Sequence, residues 1–259
     1  MSIESNAEQR RKAYLRAMGI ELFQVRNDLF QLAPQVRDVE VRDVTQEPDV
    51  AVPIPDPVDV VVSPVPVSPV ADYGWERLRA TVADCRACTL AESRTQTVFG
   101  VGSQNADWML VGEAPGADED RQGEPFAGKA GQLLTSMLHA AGLARQDVYI
   151  TNIIKCSPPD NRDPRPDEVS HCITYLERQI ELVQPRVIIA VGRIAAHSLL
   201  QVETQVGRLR GTTHHFGAAN IPLLVTYHPA YLLRSPSEKR KSWQDMCRAQ
   251  RLTSNSTLV

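Results

Sequence analysis

Trp108-Met109-Leu110-Val111, followed at once by Gly112-Glu113-Ala114-Pro115-Gly116, is the stretch from which the fold of this chain can be read. Four apolar residues are too few for a core helix but suit a fully buried strand, and the Gly-Pro-Gly run that stops them is turn chemistry. Three further runs have the same character: Val148 to Ile154, Val187 to Val191 and Leu223 to Tyr227. Between and after them lie stretches with helical spacing, Gly131 to Ala141, Pro166 to Gln184, Ile194 to Leu200 and Ser237 to Arg251. Pro166 with Asp167 and Glu168 is a fitting first helical turn, since proline loses nothing there and acids meet the positive end of the helix. Strands alternating with helices predict an α/β fold with a largely parallel sheet covered on both faces. Such sheets bind ligands beyond the carboxyl ends of their strands, and each motif below stands at such an end.

Upstream of this core the composition changes. Residues 1–72 carry 7 Lys/Arg against 12 Asp/Glu, whereas the rest of the chain holds 21 and 19, so the overall charge of −3 conceals a mildly basic core. Nucleic acid is therefore not excluded as a partner. Pro34 to Pro69 alternates Val, Pro, Asp and Ser without helical period, and reads as an extended, disordered linker. Ahead of it, Tyr14, Leu15, Met18, Leu22, Val25 and Leu29 recur at helical spacing and predict an amphipathic segment. That segment either docks on the core or presents a tethered peptide to another protein. The expected organisation is thus an amphipathic helical segment over 1–33, a Pro/Val-rich linker over 34–72 and a catalytic domain over 73–259. With no apolar run long enough to span a bilayer and no export-type start, the expected location is the cytosol, and the expected state a monomer without a membrane partner.

In a compartment that keeps thiols reduced, clustered cysteines point to metal rather than disulfides. Cys85 and Cys88 have the two-residue gap that turns both thiolates toward one ion or cluster, and Cys156 and Cys172 would join them through the fold. The alternative is four unconnected small core residues. Cys247 is the odd one out.

The motif after the first strand continues through Glu119-Asp120-Arg121 to Gly123-Glu124-Pro125-Phe126-Ala127-Gly128. Its glycines let backbone approach a flat ligand, but the Lys-Ser/Thr ending of a P-loop is missing, so a nucleoside triphosphate is a poor candidate. Phe126 alone reads as core packing, and at a ligand edge as a stacking surface for a base. The second strand runs through Thr151-Asn152 to Lys155-Cys156, and the planar amide of Asn152 suits the edge of a base. The last strand leads into His228-Pro229-Ala230-Tyr231-Leu232-Leu233-Arg234-Ser235. In isolation His228 is a structural histidine, and only its company suggests a donor to a developing anion.

Taken together, Cys85-x-x-Cys88, Gly112 to Gly116 with Glu119-Asp120, Gly123 to Gly131, Thr151-Asn152 through Cys156, Cys172 and His228 to Arg234 resemble the family 4 uracil-DNA glycosylases, the iron-sulfur branch of that superfamily. The resemblance covers about Asp84 to Trp243 and leaves the first 70 residues outside. It implies a three-layer α/β/α sandwich with a four-stranded central sheet, and a structural 4Fe–4S cluster held by Cys85, Cys88, Cys156 and Cys172. Four thiolates alone suit zinc equally, so the cluster is what the likeness implies.

The resemblance also assigns roles for uracil-containing DNA as substrate. The pocket would be formed by Gly112, Ala114, Gly116, Glu119, Phe126 and Asn152. There Phe126 stacks on the extruded base, Asn152 pairs with its N3 and O4 edge, and the Glu119 position excludes the methyl of thymine. Cytosine reverses the pattern Asn152 reads, and each buried polar group left unpaired costs about 1–3 kcal/mol. Leu232 or Leu233 would fill the vacated stack, with Arg234 and Ser235 gripping phosphates. His228 would donate to O2 as negative charge develops on the departing base. Related glycosylases carry Asp where Ala114 stands, so water at the sugar falls to Glu113 or Asn161, between which the sequence does not choose. A self-trapping relative depends on a histidine in the loop after the Asn152 strand, and Ser157 to Pro164 has none. The competing reading from another class is a noncatalytic, metal-stabilised nucleic-acid-binding module, which would hold DNA without releasing uracil.

Overall fold

A computed structural model describes residues 69–254, so the N-terminal amphipathic segment and nearly all of the linker lie outside the described residues. Within them six strands form one sheet in the order β1-β3-β2-β4-β6-β5. They are β1 (Val101–Gly102), β2 (Trp108–Gly112), β3 (Tyr149–Asn152), β4 (Val187–Val191), β5 (His214–Phe216) and β6 (Ile221–Thr226). The four apolar runs are its parallel centre, β3-β2-β4-β6. Two short strands, β1 and β5, add antiparallel edges and take the count from the expected four to six. With two and three residues they are too short to leave a periodic signal.

The helices are α1 (Trp75–Ala83), α2 (Leu90–Ser93), α3 (Ala117–Gln122), α4 (Lys129–Ala140), α5 (Pro166–Val183), α6 (Arg193–Leu200), α7 (Val206–Leu209), α8 (Pro229–Arg234) and α9 (Lys239–Ser254). The anticipated helices α4, α5, α6 and α9 form within a few residues of the expected limits. Pro166 opens α5 and Gln184 ends it in a left-handed conformation.

Alternation along each central strand divides the core into two layers. Met109, Val111, Ile188, Ala190, Leu223 and Val225 face Leu176, Ile180, Ala195 and Ala196 of α5 and α6. Trp108, Leu110, Val187, Ile189, Val191 and Leu224 face Leu134, Leu138, Met246 and Ala249 of α4 and α9. This is the three-layer α/β/α arrangement, and strands buried on both faces explain their unbroken apolar runs. A smaller cluster of Val70, Leu78, Val82 and Phe99 seats α1, so close packing begins at Val70, just ahead of residue 73. Among the described residues no helix is long and apolar enough to cross a membrane.

Candidate active site

The parallel register sets the site. Gly112 and Asn152 are direct partners at the carboxyl ends of β2 and β3, and the neighbouring strand ends lead into Gly192 and His228. A cavity of about 450 Å³ opens above these ends, and Glu113, Glu119, Phe126, Asn152, Asn161 and His228 line it together with Ala114 and Gly116. The fold thus brings together the pocket residues singled out from sequence.

Asn152 is only 2 % exposed, so its amide is fixed by packing rather than by solvent. Gly112 is what makes room for it. A Cβ there would lie 2.4 Å from Asn152 Oδ1 and 2.7 Å from the Phe126 ring. Phe126 takes a positive φ of 53° and stacks on His228 with centroids 5.6 Å apart and planes at 28°. Its backbone is pressed against α4, where a Cβ on Gly131 would lie 1.6 Å from the Phe126 carbonyl oxygen.

Glu119 sits on α3, a six-residue helix outside the four helices expected from sequence. Its carboxylate accepts from the N–H groups of Gly116 at 3.0 Å and Ala127 at 2.9 Å. Those two bonds join the Gly112–Gly116 loop to the Phe126 loop, so Glu119 shapes the pocket wall. The next residue, Asp120, turns the other way and accepts from Thr95 N–H at 2.8 Å.

His228 is the N-cap of α8, and its Nδ1 accepts from Ala230 N–H at 3.2 Å. An accepting Nδ1 places the proton of the neutral ring on Nε2, which makes Nε2 the donor. Burial, with help from the Arg234 charge, holds its pKa down at about 4, so the ring is neutral at physiological pH. The neutral ring suits a donor to an oxyanion, because it can give one hydrogen bond without first losing charge.

Glu113 lines the same cavity. Burial and the neighbouring Asp163 carboxyl raise its pKa to about 7, with Arg193 pulling the other way. Arg193 donates to Asp163 at 2.5 Å. Asn161 stands on the loop after β3, where Asp160 and Asn161 are consecutive left-handed residues with φ of 56° and 51°. That loop is anchored by Arg162, whose two terminal nitrogens bond both oxygens of buried Glu168 at 2.8 and 2.6 Å. Asp163 and the Arg162–Glu168 pair were not anticipated, and nothing in the local pattern marks them.

The loop after β6 divides its residues sharply. Leu232 has no exposed surface and belongs to the core under α4 and α9, so it cannot reach DNA. Leu233 is 45 % exposed and is the one available as a wedge. The correction follows from α8: a helical turn sends neighbouring residues to different faces, and the segment had read as irregular. Arg234 is exposed and Ser235 half-buried at the end of that helix.

The four cysteines also come together. Cys85 and Cys88 follow α1, Cys156 follows β3 and Cys172 lies on α5, with Cys88, Cys156 and Cys172 in one packed cluster. Cys85 and Cys88 lie close enough to act electrostatically on Cys156, and Cys85 and Cys156 on Cys172. Burial raises the Cys156 thiol pKa and pushes that of Cys172 to about 12, so both are protonated until a metal or other cation displaces the proton. Arg94 donates to Cys156 Sγ at 3.0 Å and to the Cys85 carbonyl at 2.7 Å, a cationic contact that suits a thiolate. Among the described residues no group of three or more His, Cys, Asp or Glu side chains is placed to hold a metal ion. Cys247 sits on α9, the helix packed on β4 and β6.

Residues 99–248 match the model of the uracil DNA glycosylase superfamily. The chain is 45 % identical over 170 residues to a type-4 uracil-DNA glycosylase of Archaeoglobus fulgidus, covering 63 % of this chain and 85 % of the relative. A type-4 uracil-DNA glycosylase of Thermotoga maritima is 42 % identical over 174 residues, 64 % of this chain and 89 % of its own. One of Pyrobaculum aerophilum is 40 % identical over 177 residues, 66 % and 90 % respectively. By its matched residues and by the strand ends that carry its pocket, the chain belongs to the type-4 family of the uracil DNA glycosylase superfamily.

Proposed function

We propose that this enzyme, a uracil-DNA glycosylase that hydrolyses the N-glycosidic bond of uracil in DNA, works through Asn152, Phe126, His228 and Glu113. One observation carries the assignment: the Gly112–Asn152 register places a buried amide, an aromatic ring and a neutral histidine around one cavity. Uracil inside a duplex is out of reach, so the base must be extruded, and Leu233 is the side chain exposed to fill its place. Arg234 and Ser235 then hold phosphates and position the strand without reading it.

In the pocket Phe126 offers a stacking face and Asn152 reads the N3 and O4 edge. Water attacks C1′ as the bond from C1′ to N1 breaks, and the bonding electrons leave with uracil. His228 Nε2–H donates to O2, where that charge accumulates. The proton released by water passes to Glu113, whose pKa near neutrality suits a base at physiological pH. Asn161, an amide, orients that water. Glu119 limits the space beside the base by tying the two loops together.

Cys85, Cys88, Cys156 and Cys172 would hold a 4Fe–4S cluster. Cys88, Cys156 and Cys172 share one packed cluster, Cys85 acts electrostatically on Cys156 and Cys172, and four thiolates are a usual donor set for such an iron-sulfur centre. A bound cluster would cross-link the segment after α1, the end of β3 and α5.

The N-terminal segment, proposed as a tether for another repair or replication protein, lies outside the described residues. The test of function is uracil release from a single-stranded oligonucleotide, with a cytosine-containing strand as control. Release that falls by about 100-fold or more in His228→Ala and Asn152→Ala supports the mechanism. DNA binding without release, unchanged in both variants, would establish a binding module instead.

A further inference from the structure

Beside the uracil cavity lies a second one, of about 390 Å³. The two are contiguous, because Glu113, His228 and Arg234 line both. What the second adds is aromatic: Tyr227 and Tyr231, with centroids 5.1 Å apart and planes at 45°. The Tyr227 ring carries the Arg210 guanidinium 4.8 Å from its centroid, which holds that ring in place. Tyr231 is 37 % exposed, and it and Leu233 of the same short helix are two of three large apolar side chains exposed among the described residues. Arg193 and Arg234, both exposed, line it as well.

We propose that this cavity is a subsite for the nucleobase next to the excised uracil, stacked on Tyr231. The inference rests on the uracil-DNA glycosylase reading of the adjoining pocket. A strand whose uracil enters the first cavity must place its neighbouring base within one nucleotide of that cavity's wall, and the wall at His228 and Glu113 is shared. Paired tyrosines suit any base, because every base has a π-face. The Glu113 carboxyl in the lining disfavours a phosphate as the occupant, whereas the exposed Arg193 and Arg234 suit the strand's backbone. Leu233 and Tyr231 would then act on the same distortion: one fills the gap, and the other receives the base displaced beside it.

The experiment measures Kd and uracil release on single-stranded oligonucleotides of equal length, so that no opposing strand can supply the base. An abasic spacer replaces the nucleotide immediately 5′ or immediately 3′ of uracil. On the unmodified strand Tyr231→Ala is expected to weaken binding about 5- to 150-fold, the range of one base–aromatic stack, and Tyr231→Phe to leave it unchanged. A spacer on one side should weaken the wild type by a similar factor, and Tyr231→Ala should add nothing to that loss. Spacers on either side without effect, or Tyr231→Ala and spacer losses that multiply, would overturn the subsite. If uracil is not released by the wild type while the spacer effect on Kd remains, the glycosylase reading fails and the base subsite stands.

Discussion

The ammonium of Lys155 donates to the backbone carbonyl of Asn152 at 2.8 Å, from a side chain only 1 % exposed. It also donates to Thr151 Oγ1 and Gln179 Oε1, both at 2.7 Å. Lys155 is followed directly by Cys156, so one buried cation ties the pocket end of β3 to the cysteine site. Replacing it with methionine keeps the volume but removes a donor from three acceptors, of which Gln179 Oε1 still has Thr151 Oγ1–H at 3.2 Å, and each buried polar group left unsatisfied costs about 1–3 kcal/mol. Lys155→Met should lose about 3 kcal/mol or more in urea unfolding, and uracil release should fall as Asn152 loses its anchor. Wild-type stability and turnover in that variant would mean the network is incidental.

A second expectation concerns pH. Glu113 keeps its proton up to about 7 in the folded chain against an ordinary value of 4.5. Between those values the folded state binds more protons than the unfolded one, so this residue's contribution to stability is present below 4.5 and lost as pH rises through 7. As a base it works only when ionised, so release should rise through pH 7 and level off above it. Glu113→Gln should abolish that rise and flatten the stability change over the same window. His228, neutral down to about 4, should contribute no inflection near its ordinary 6.5. A rising limb that survives in Glu113→Gln would remove Glu113 from the base role.

The parallel centre of the sheet was legible because burial on both faces wrote it into the sequence as unbroken apolar runs. Asn152, Phe126 and His228 share one cavity because each closes such a run or sits in a glycine-rich loop beside one, while the roles proposed for them came from the family resemblance. Leu232 was misplaced because α8 is too short to show a period, and which leucine turns inward is decided by α4 and α9, far away in sequence. Lys155, Asp163 and the Arg162–Glu168 pair escaped for a related reason. A buried ion or carboxyl pair is defined by its partners, and residues 24 positions apart, as Lys155 and Gln179 are, leave no local mark.

Two glycines around Phe126 should separate function from folding. The Cβ of Gly112→Ala would meet side chains only, Asn152 Oδ1 and the Phe126 ring, whereas that of Gly131→Ala would meet the Phe126 backbone. Gly112→Ala is expected to cut uracil release about 100-fold at a cost of about 1–3 kcal/mol, because the packed Asn152 amide and Phe126 ring must both shift. Gly131→Ala should cost more, above about 3 kcal/mol, because backbone must move. Thermal unfolding and release assays on both variants check the contrast, and equal losses of stability would refute it.

The loop that carries Asn161 depends on one ion pair. Glu168 is wholly buried, and besides Arg162 it accepts from Arg165 N–H at 2.7 Å. Arg162→Ala would leave a buried carboxylate short of its cation, a change that costs about 3–5 kcal/mol where burial is complete. The half-exposed position of Arg162 lets water recover part of that, so a smaller loss is expected in denaturant unfolding. The paired change Arg162→Met with Glu168→Leu should recover most of the stability without recovering activity, because the loop regains packing but Asn161 loses its anchor. Full recovery of both would show that the pair serves stability alone.

The cysteine site gives the last expectation. Metal binding requires deprotonated thiols, and burial holds the Cys156 and Cys172 thiols protonated, so loading should release protons and weaken as pH falls. Iron and acid-labile sulfide should each be found at about four per chain, and zinc at none when iron and sulfide are supplied. Cys172→Ser should lower the iron content and the unfolding midpoint together, because α5 then loses its link to Cys85 and Cys88. Uracil release by whatever folded protein remains should fall less than the iron content, since no cysteine lines the cavity of Asn152 and His228. One zinc per chain with full stability would replace the cluster by a tetrahedral site, and an iron-free variant of wild-type stability would reduce the four cysteines to core residues.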